Sequence, residues 1–209
     1  MKKQIALFTF GLFILTFGAN AQNENWTTKV SQVGNTKVQY FISQQDSPKG
    51  EPTQTIEYVV SRVLEADIDA CLEVLKTPSN YMNIFDFTEK SELIEQISEN
   101  EWFVYFYIDS PWPLPNQDQV SKFTLESNGN SATIRSTSTP DKISRTDVTR
   151  AIMADFDYFL VKMNDGLLEI TIKAKFQPTT AAPHFLINIW FPDGPANMID
   201  RIAKLAKKQ

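Results

Sequence analysis

A single cysteine and a single histidine stand in a chain of 209 residues, and their scarcity removes whole classes of chemistry. One cysteine, Cys71, excludes an intramolecular disulfide and any metal site built from clustered thiolates. It lies in an apolar pattern with Ile68, Leu72 and Leu75 and reads as a small buried hydrophobe, since a reactive thiol needs an activating neighbour. With His184 alone, neither a Ser-His-Asp triad nor a multi-histidine metal centre can be assembled. Glycine is sparse as well, at seven residues, and none is grouped as a phosphate-cradling loop: Gly129 and Gly166 fall in hairpin turns and Gly194 lies between prolines. No catalytic residue, metal ligand or cofactor is therefore assigned. Positive charge is also in deficit. Without Lys2 and Lys3, 18 basic residues face 25 acidic ones, a net charge near −7. That argues against a nucleic-acid partner, which needs a concentrated basic surface, and mildly against tight electrostatic docking on anionic lipid.

Long hydrophobic runs are missing everywhere except at the start. Met1-Lys2-Lys3 precedes an apolar run from Ile5 to Phe17, and Ala19-Asn20-Ala21 has the small-x-small form of a signal-peptidase site. Residues 1–21 are expected to be a secretory signal peptide cleaved before Gln22. The run is shorter than the roughly 20 apolar residues of a spanning helix, and no cysteine follows it to carry a lipid. The mature protein is expected to be secreted, periplasmic and monomeric, with residues 22–209 forming one domain.

Periodicity supplies the architecture. Val38–Ile42 and Thr55–Leu64 read as strands, and Asp67 reads as the N-cap of a helix over Ile68–Lys76, with Pro78 ending it and a second helical piece running through Tyr81 and Ile84. From Lys90 the period changes to two: Leu93–Ile97, Trp102–Ile108, Val120–Leu125, Ala132–Thr137, Ile152–Lys162 and Leu167–Phe176, with hairpin signals at Ser127–Asn130 and Asn164–Gly166. In the last strand Leu168, Ile170, Ile172, Ala174 and Phe176 share one face and Glu169, Thr171, Lys173 and Lys175 the other. Its partner carries Ile152, Ala154, Phe156, Tyr158 and Leu160 on one face. Asp155 and Asp157 fall opposite and read as solvated surface; Arg145, Asp147 and Arg150 likewise read as exterior decoration. Residues 183–207 form a long amphipathic helix opened by Pro183 and interrupted across Phe191-Pro192-Asp193-Gly194-Pro195. The fold class is α+β, with helices on one face of an antiparallel sheet.

The most distinctive stretch is Ser110-Pro111-Trp112-Pro113-Leu114-Pro115-Asn116-Gln117-Asp118-Gln119-Val120. At these residues the chain resembles the START (lipid-transfer) domain family, within the Bet v 1-like (SRPBCC) helix-grip superfamily. Members commonly carry a Pro-Trp-Pro loop followed shortly by Arg-Asp. They close with a proline-started helix bearing an aromatic and an asparagine, matched by Ala182-Pro183-His184-Phe185-Leu186-Ile187-Asn188. The resemblance spans about residues 36–207. It departs at Gln117, where the family pattern has arginine, so no ion pair or headgroup contact of that arginine is carried over to this chain. Asp118 reads as a loop-fixing acceptor of backbone hydrogen bonds, and Trp112 as a ring held against the domain by three prolines.

The resemblance implies a curved sheet wrapped around the C-terminal helix, with a cavity between them that binds a lipid or other hydrophobic small molecule, and transient membrane contact. Inward positions are rich in aromatics, and the expected ligand-binding residues are Trp102, Phe106, Trp112, Phe123, Phe156, Tyr158, Phe185, Ile189 and Trp190. The same residues would serve equally in a solid core, and that alternative stays open. The runner-up function is a cyclase or hydratase of the same superfamily, which needs a carboxylate or tyrosine inside the cavity; Tyr158 and Tyr107 are its candidates. A third reading is an interaction module with a closed core. Residues 191–195 are the expected hinge.

Overall fold

Alternation along the strands becomes sheet pairing directly. The computed structural model describes residues 26–45 and 53–208; the expected signal peptide lies outside the described residues. The elements are β1 (Thr27–Val30), β2 (Lys37–Gln45), β3 (Thr53–Glu65), α1 (Ile68–Lys76), α2 (Tyr81–Ile84), β4 (Thr88–Ser98), β5 (Glu101–Ile108), β6 (Gln117–Ser127), β7 (Ser131–Ser138), β8 (Thr149–Arg150), β9 (Ala154–Lys162), β10 (Leu167–Phe176), α3 (His184–Trp190) and α4 (Asp193–Ala206).

Among the described residues the strands join in one sheet of order β1-β2-β3-β10-β9-β7-β6-β5-β4, every pairing along that path antiparallel. β10 lies inside the sheet between β3 and β9, and Leu168, Ile170, Ile172 and Ala174 are buried on its inner face as their period of two requires. Tyr58 and Val60 of β3 and Tyr158 and Leu160 of β9 continue that face on either side. Ile152 is exposed, because β9 starts at Ala154 rather than two residues earlier. Asp155 and Asp157 are half-buried rather than solvated, and Asp155 accepts a hydrogen bond from the Ser138 N–H.

The helices cover the inner face. The Asp67 carboxylate caps α1 by accepting from the Ala70 N–H at 2.9 Å. Cys71, Val74 and Leu75 are buried beneath it, and burial pushes the Cys71 thiol up to about 11, reinforced by Asp67, so it stays protonated. The C-terminal helix is divided. Phe191 is extended and Pro192 leads into α4, whose first turn accommodates Pro195 because those N–H groups have no intrahelical partner. Pro183 precedes α3 as its cap instead of forming its first turn. Met198, Ile199, Ile202 and Ala206 of α4 pack into the core. Gly194 is required by close approach: a Cβ there would overlap the Trp190 indole. Among the described residues no helix is long and apolar enough to cross a membrane.

Candidate functional site

Two different things fill the space between sheet and helices. Under α1 and α2 it is solid. Trp102 and Phe123 stack at 5.5 Å between ring centroids, and Tyr81 of α2 plugs in beside Phe123 at 5.3 Å. The Tyr81 hydroxyl donates to the Leu75 carbonyl at 2.6 Å, which fixes that plug to α1. Under α3 and the start of α4 the space is open, a cavity of about 570 Å³. Its walls are Ile56 of β3, Phe106 of β5, Phe156 of β9 and Phe176 of β10, closed by Ile187 and Met198 from the helices. The volume and apolar walls lie in the range of small-molecule pockets. Large apolar residues also stand at its edge: Phe87 and Ile189 line it and are themselves exposed, Ile189 at 74%.

The expected residues divide accordingly. Phe106, Phe156, Ile189 and Trp190 line the cavity. Trp102, Phe123 and Tyr158 are buried in the packed half and do not. Phe185 is 53% exposed and off the cavity, since the short α3 turns only Ile187 fully inward. Trp112 is 86% exposed; its neighbours Pro111 and Leu114 line the cavity while its own ring projects into solvent instead of packing on the domain. The alternation that places residues on the inner face does not say which part of that face a helix covers. Lining residues absent from the sequence expectation include Phe85, Phe191, Gln117 and Gln119. The glutamines were legible in principle as an i, i+2 pair, but β6 begins at Gln117, three residues before its apolar run does.

Polar groups in the walls are few and mostly engaged. The Trp190 indole N–H donates to Asp86 Oδ2 at 2.9 Å, and Arg201 pairs with Asp86 Oδ1 at 2.7 Å, tying the end of α3 and the middle of α4 to the turn before β4. The Tyr58 hydroxyl donates to Met198 Sδ at 3.2 Å, and burial, with a smaller contribution from Asp86, raises its pKa far out of reach. Neither tyrosine candidate for acid–base chemistry lines the cavity. Tyr158 is fully buried with no partner for its hydroxyl among the described residues, and the Tyr107 hydroxyl accepts from Asn116.

Asp118 faces away from the cavity, between two glutamines that face it. It is 0% exposed, and it accepts from Arg150 Nε at 2.6 Å and Nη2 at 2.8 Å and from the Thr146 hydroxyl at 2.6 Å. Burial would raise its carboxyl, but the Arg150 and Thr146 hydrogen bonds outweigh this and hold it below the ordinary carboxylate range. Asp118 thus accepts from side chains, where backbone donors were expected. Arg150, expected on the exterior, is 2% exposed. The two-residue β8 runs parallel to β6 in the register Asp118↔Arg150, and the remaining guanidinium protons go to the carbonyls of Pro140, Ile143 and Ser144. The pair secures the 139–150 connection to the back of the sheet, and an arginine at 117 would have pointed to the opposite side.

This sheet, its divided C-terminal helix and the cavity between them define a START-type helix-grip fold. No model of a known protein family matches the chain. In sequence it is similar to an uncharacterized protein of Pseudomonas aeruginosa, 23% identical over 195 residues and 91% of each chain. In structure it is similar to the STAR-related lipid transfer protein of Xanthomonas axonopodis (TM-score 0.68, 23% identity, 87% of this chain and 98% of that one). It is also similar to human StAR-related lipid transfer protein 5 (0.66, 11%, 90% and 89%). The Zhui aromatase/cyclase of Streptomyces sp. R1128 shares the fold at a TM-score of 0.52, with 15% identity over 74% of this chain and 94% of that one.

Proposed function

We propose that this protein binds an apolar small molecule or lipid in the cavity under α3, outside the cytoplasm, and hands it on at a membrane surface. The observation that carries this reading is the 570 Å³ space walled by Ile56, Phe106, Phe156, Phe176, Ile187 and Met198. Enclosing a ligand there removes apolar area from water on both sides, at roughly 25 cal/mol per Å². Binding is preferred over catalysis because neither tyrosine candidate lines the cavity, the tyrosine that does, Tyr58, donates to Met198, and both lining carboxylates are occupied, Asp86 by Arg201 and Trp190 and Asp193 by the Ser31 hydroxyl. The moving part is α3. Phe191 is anchored, stacked on Tyr40 at 4.2 Å, so α3 swings about Phe191 once the Trp190–Asp86 hydrogen bond opens. The test is mass spectrometry of the protein under native conditions after incubation with total lipid extract, compared with denaturing conditions. A retained mass that dissociates on unfolding is expected; uptake of nothing across several lipid classes would sink the reading.

Membrane contact rests on the apolar residues exposed around the opening. Trp112, Phe87 and Ile189 project from three separate segments that border the cavity, and an aromatic of this kind suits the headgroup boundary. Replacing Trp112 by Ala together with Ile189 by Ser should lower partitioning onto zwitterionic vesicles by roughly tenfold or more, with little change in unfolding midpoint because both side chains are mostly solvated. Vesicle co-flotation reads the first quantity and thermal unfolding the second. Unchanged flotation would place the contact elsewhere.

A further inference from the structure

The geometry points to an uncharged ligand whose polar end is a hydroxyl, bound between Gln117 and Gln119; the inference rests on the cavity-binding reading above and specifies the ligand's class. Both glutamines lie on the cavity side of β6, two residues apart, where that strand leaves the Ser110–Asn116 loop. Each amide is oriented by a backbone group that can play only one role. Gln117 Oε1 accepts from the Thr179 N–H at 3.3 Å, so its Nε2 is turned the other way and donates to nothing among the described residues. Gln119 Nε2 donates to the Ala154 carbonyl at 3.1 Å and to the Ser121 hydroxyl at 2.7 Å, so its Oε1 is the free end and accepts from nothing among them. The pair therefore presents one unused donor and one unused acceptor to the cavity. A hydroxyl is the simplest group that satisfies both, accepting from Gln117 and donating to Gln119.

Charge gives a second, independent reason. Among the described residues none that lines the cavity is Lys, Arg or His, while Asp86 and Asp193 both are part of its wall. A carboxylate or phosphate head brought there would be desolvated without a counter-charge, the costly case for a buried ion. A carboxylate also cannot donate to Gln119 Oε1. The arginine that would have put positive charge at position 117 is absent, and the arginine that pairs with Asp118 sits on the other side of the sheet.

The experiment compares four probes of equal chain length on the full mature protein: a pyrenyl-alkane, the terminal alcohol, its methyl ether and the carboxylic acid at neutral pH. The alcohol is expected to bind about tenfold tighter than the alkane. The ether, which accepts but cannot donate, should fall between them, and the carboxylate should bind weakest. In Gln119→Met and, separately, Gln117→Met, the alcohol's advantage over the alkane should drop to within about twofold; thermal unfolding confirms that each variant folds. The comparison in the unsubstituted protein stands even if one does not. A carboxylate binding as tightly as the alcohol, or an alcohol no better than the alkane, overturns the inference while leaving cavity binding in place. Failure of all four probes, the headless alkane included, overturns both.

Discussion

Asp118→Asn should lower the unfolding free energy by about 3–5 kcal/mol, the cost of leaving a buried guanidinium without its counter-charge. Arg150 has no route to water: it is fully enclosed, and its other partners are the carbonyls of Pro140, Ile143 and Ser144. Denaturant unfolding measures the loss. Removing both charges as Asp118→Leu/Arg150→Met should recover part of it, because two apolar groups need no pairing, but those carbonyls would still lose their donor. The pH dependence has a definite sign. The folded carboxyl is held below its unfolded value, so its contribution is complete above the ordinary carboxylate pKa of about 4. It is lost as pH falls through the depressed folded value. Stability of the native protein should therefore fall below about pH 4, more steeply than that of Asp118→Asn. Some slope should persist in the variant, since Asp200 is also held low: hydrogen bonds from Lys204 and Arg62 outweigh the effect of its burial. An Asp118→Asn protein as stable as the parent, with the same acid slope, would mean that the pair is not closed in solution.

Ala154→Phe should abolish most ligand binding while leaving the fold intact. Ala154 is a small side chain in the cavity wall at the start of β9. A phenyl ring there would grow into open space, so the usual overpacking penalty of about 1–3 kcal/mol should be largely avoided. Ligand contact is lost instead. Displacing about 100 Å² of apolar contact is worth roughly 2.5 kcal/mol, or about seventyfold in affinity. Displacement of a bound apolar fluorophore reads the affinity and thermal unfolding the stability. A ring placed in a solid core would give the reverse pattern, a marked loss of stability and nothing to lose in binding. Retained affinity would put the ligand somewhere other than beneath α3.

The separation between wall and core explains what was readable and what was not. The period-two face of β10, the Asp67 cap of α1, the turns at Ser127–Asn130 and Asn164–Gly166, and the interruption after Trp190 are each settled within a few neighbouring residues. Their physics is local: side-chain alternation, one capping hydrogen bond, a positive φ at Gly129 and Gly166, a missing proline N–H. These were sufficient for an antiparallel sheet covered on one face by helices. Whether an inward aromatic is wall or core was not local. Phe106 and Phe123 occupy the inner face of adjoining strands, yet Phe106 borders the cavity and Phe123 is sealed by Tyr81, a residue 42 positions away in sequence. Arg150 looked like surface charge because its acceptors nearby in sequence are backbone carbonyls, which residue types do not reveal; its counter-charge Asp118, 32 residues earlier, is brought alongside only by a parallel two-residue strand. The amide orientations of Gln117 and Gln119 depend in the same way on Thr179 and Ala154. Sequence alone determined the layers and which side of each strand faces inward, because backbone period and capping act over a turn or two. Tertiary structure decided where that interior is filled and where it stays open, because this depends on which distant side chain reaches each point of the sheet.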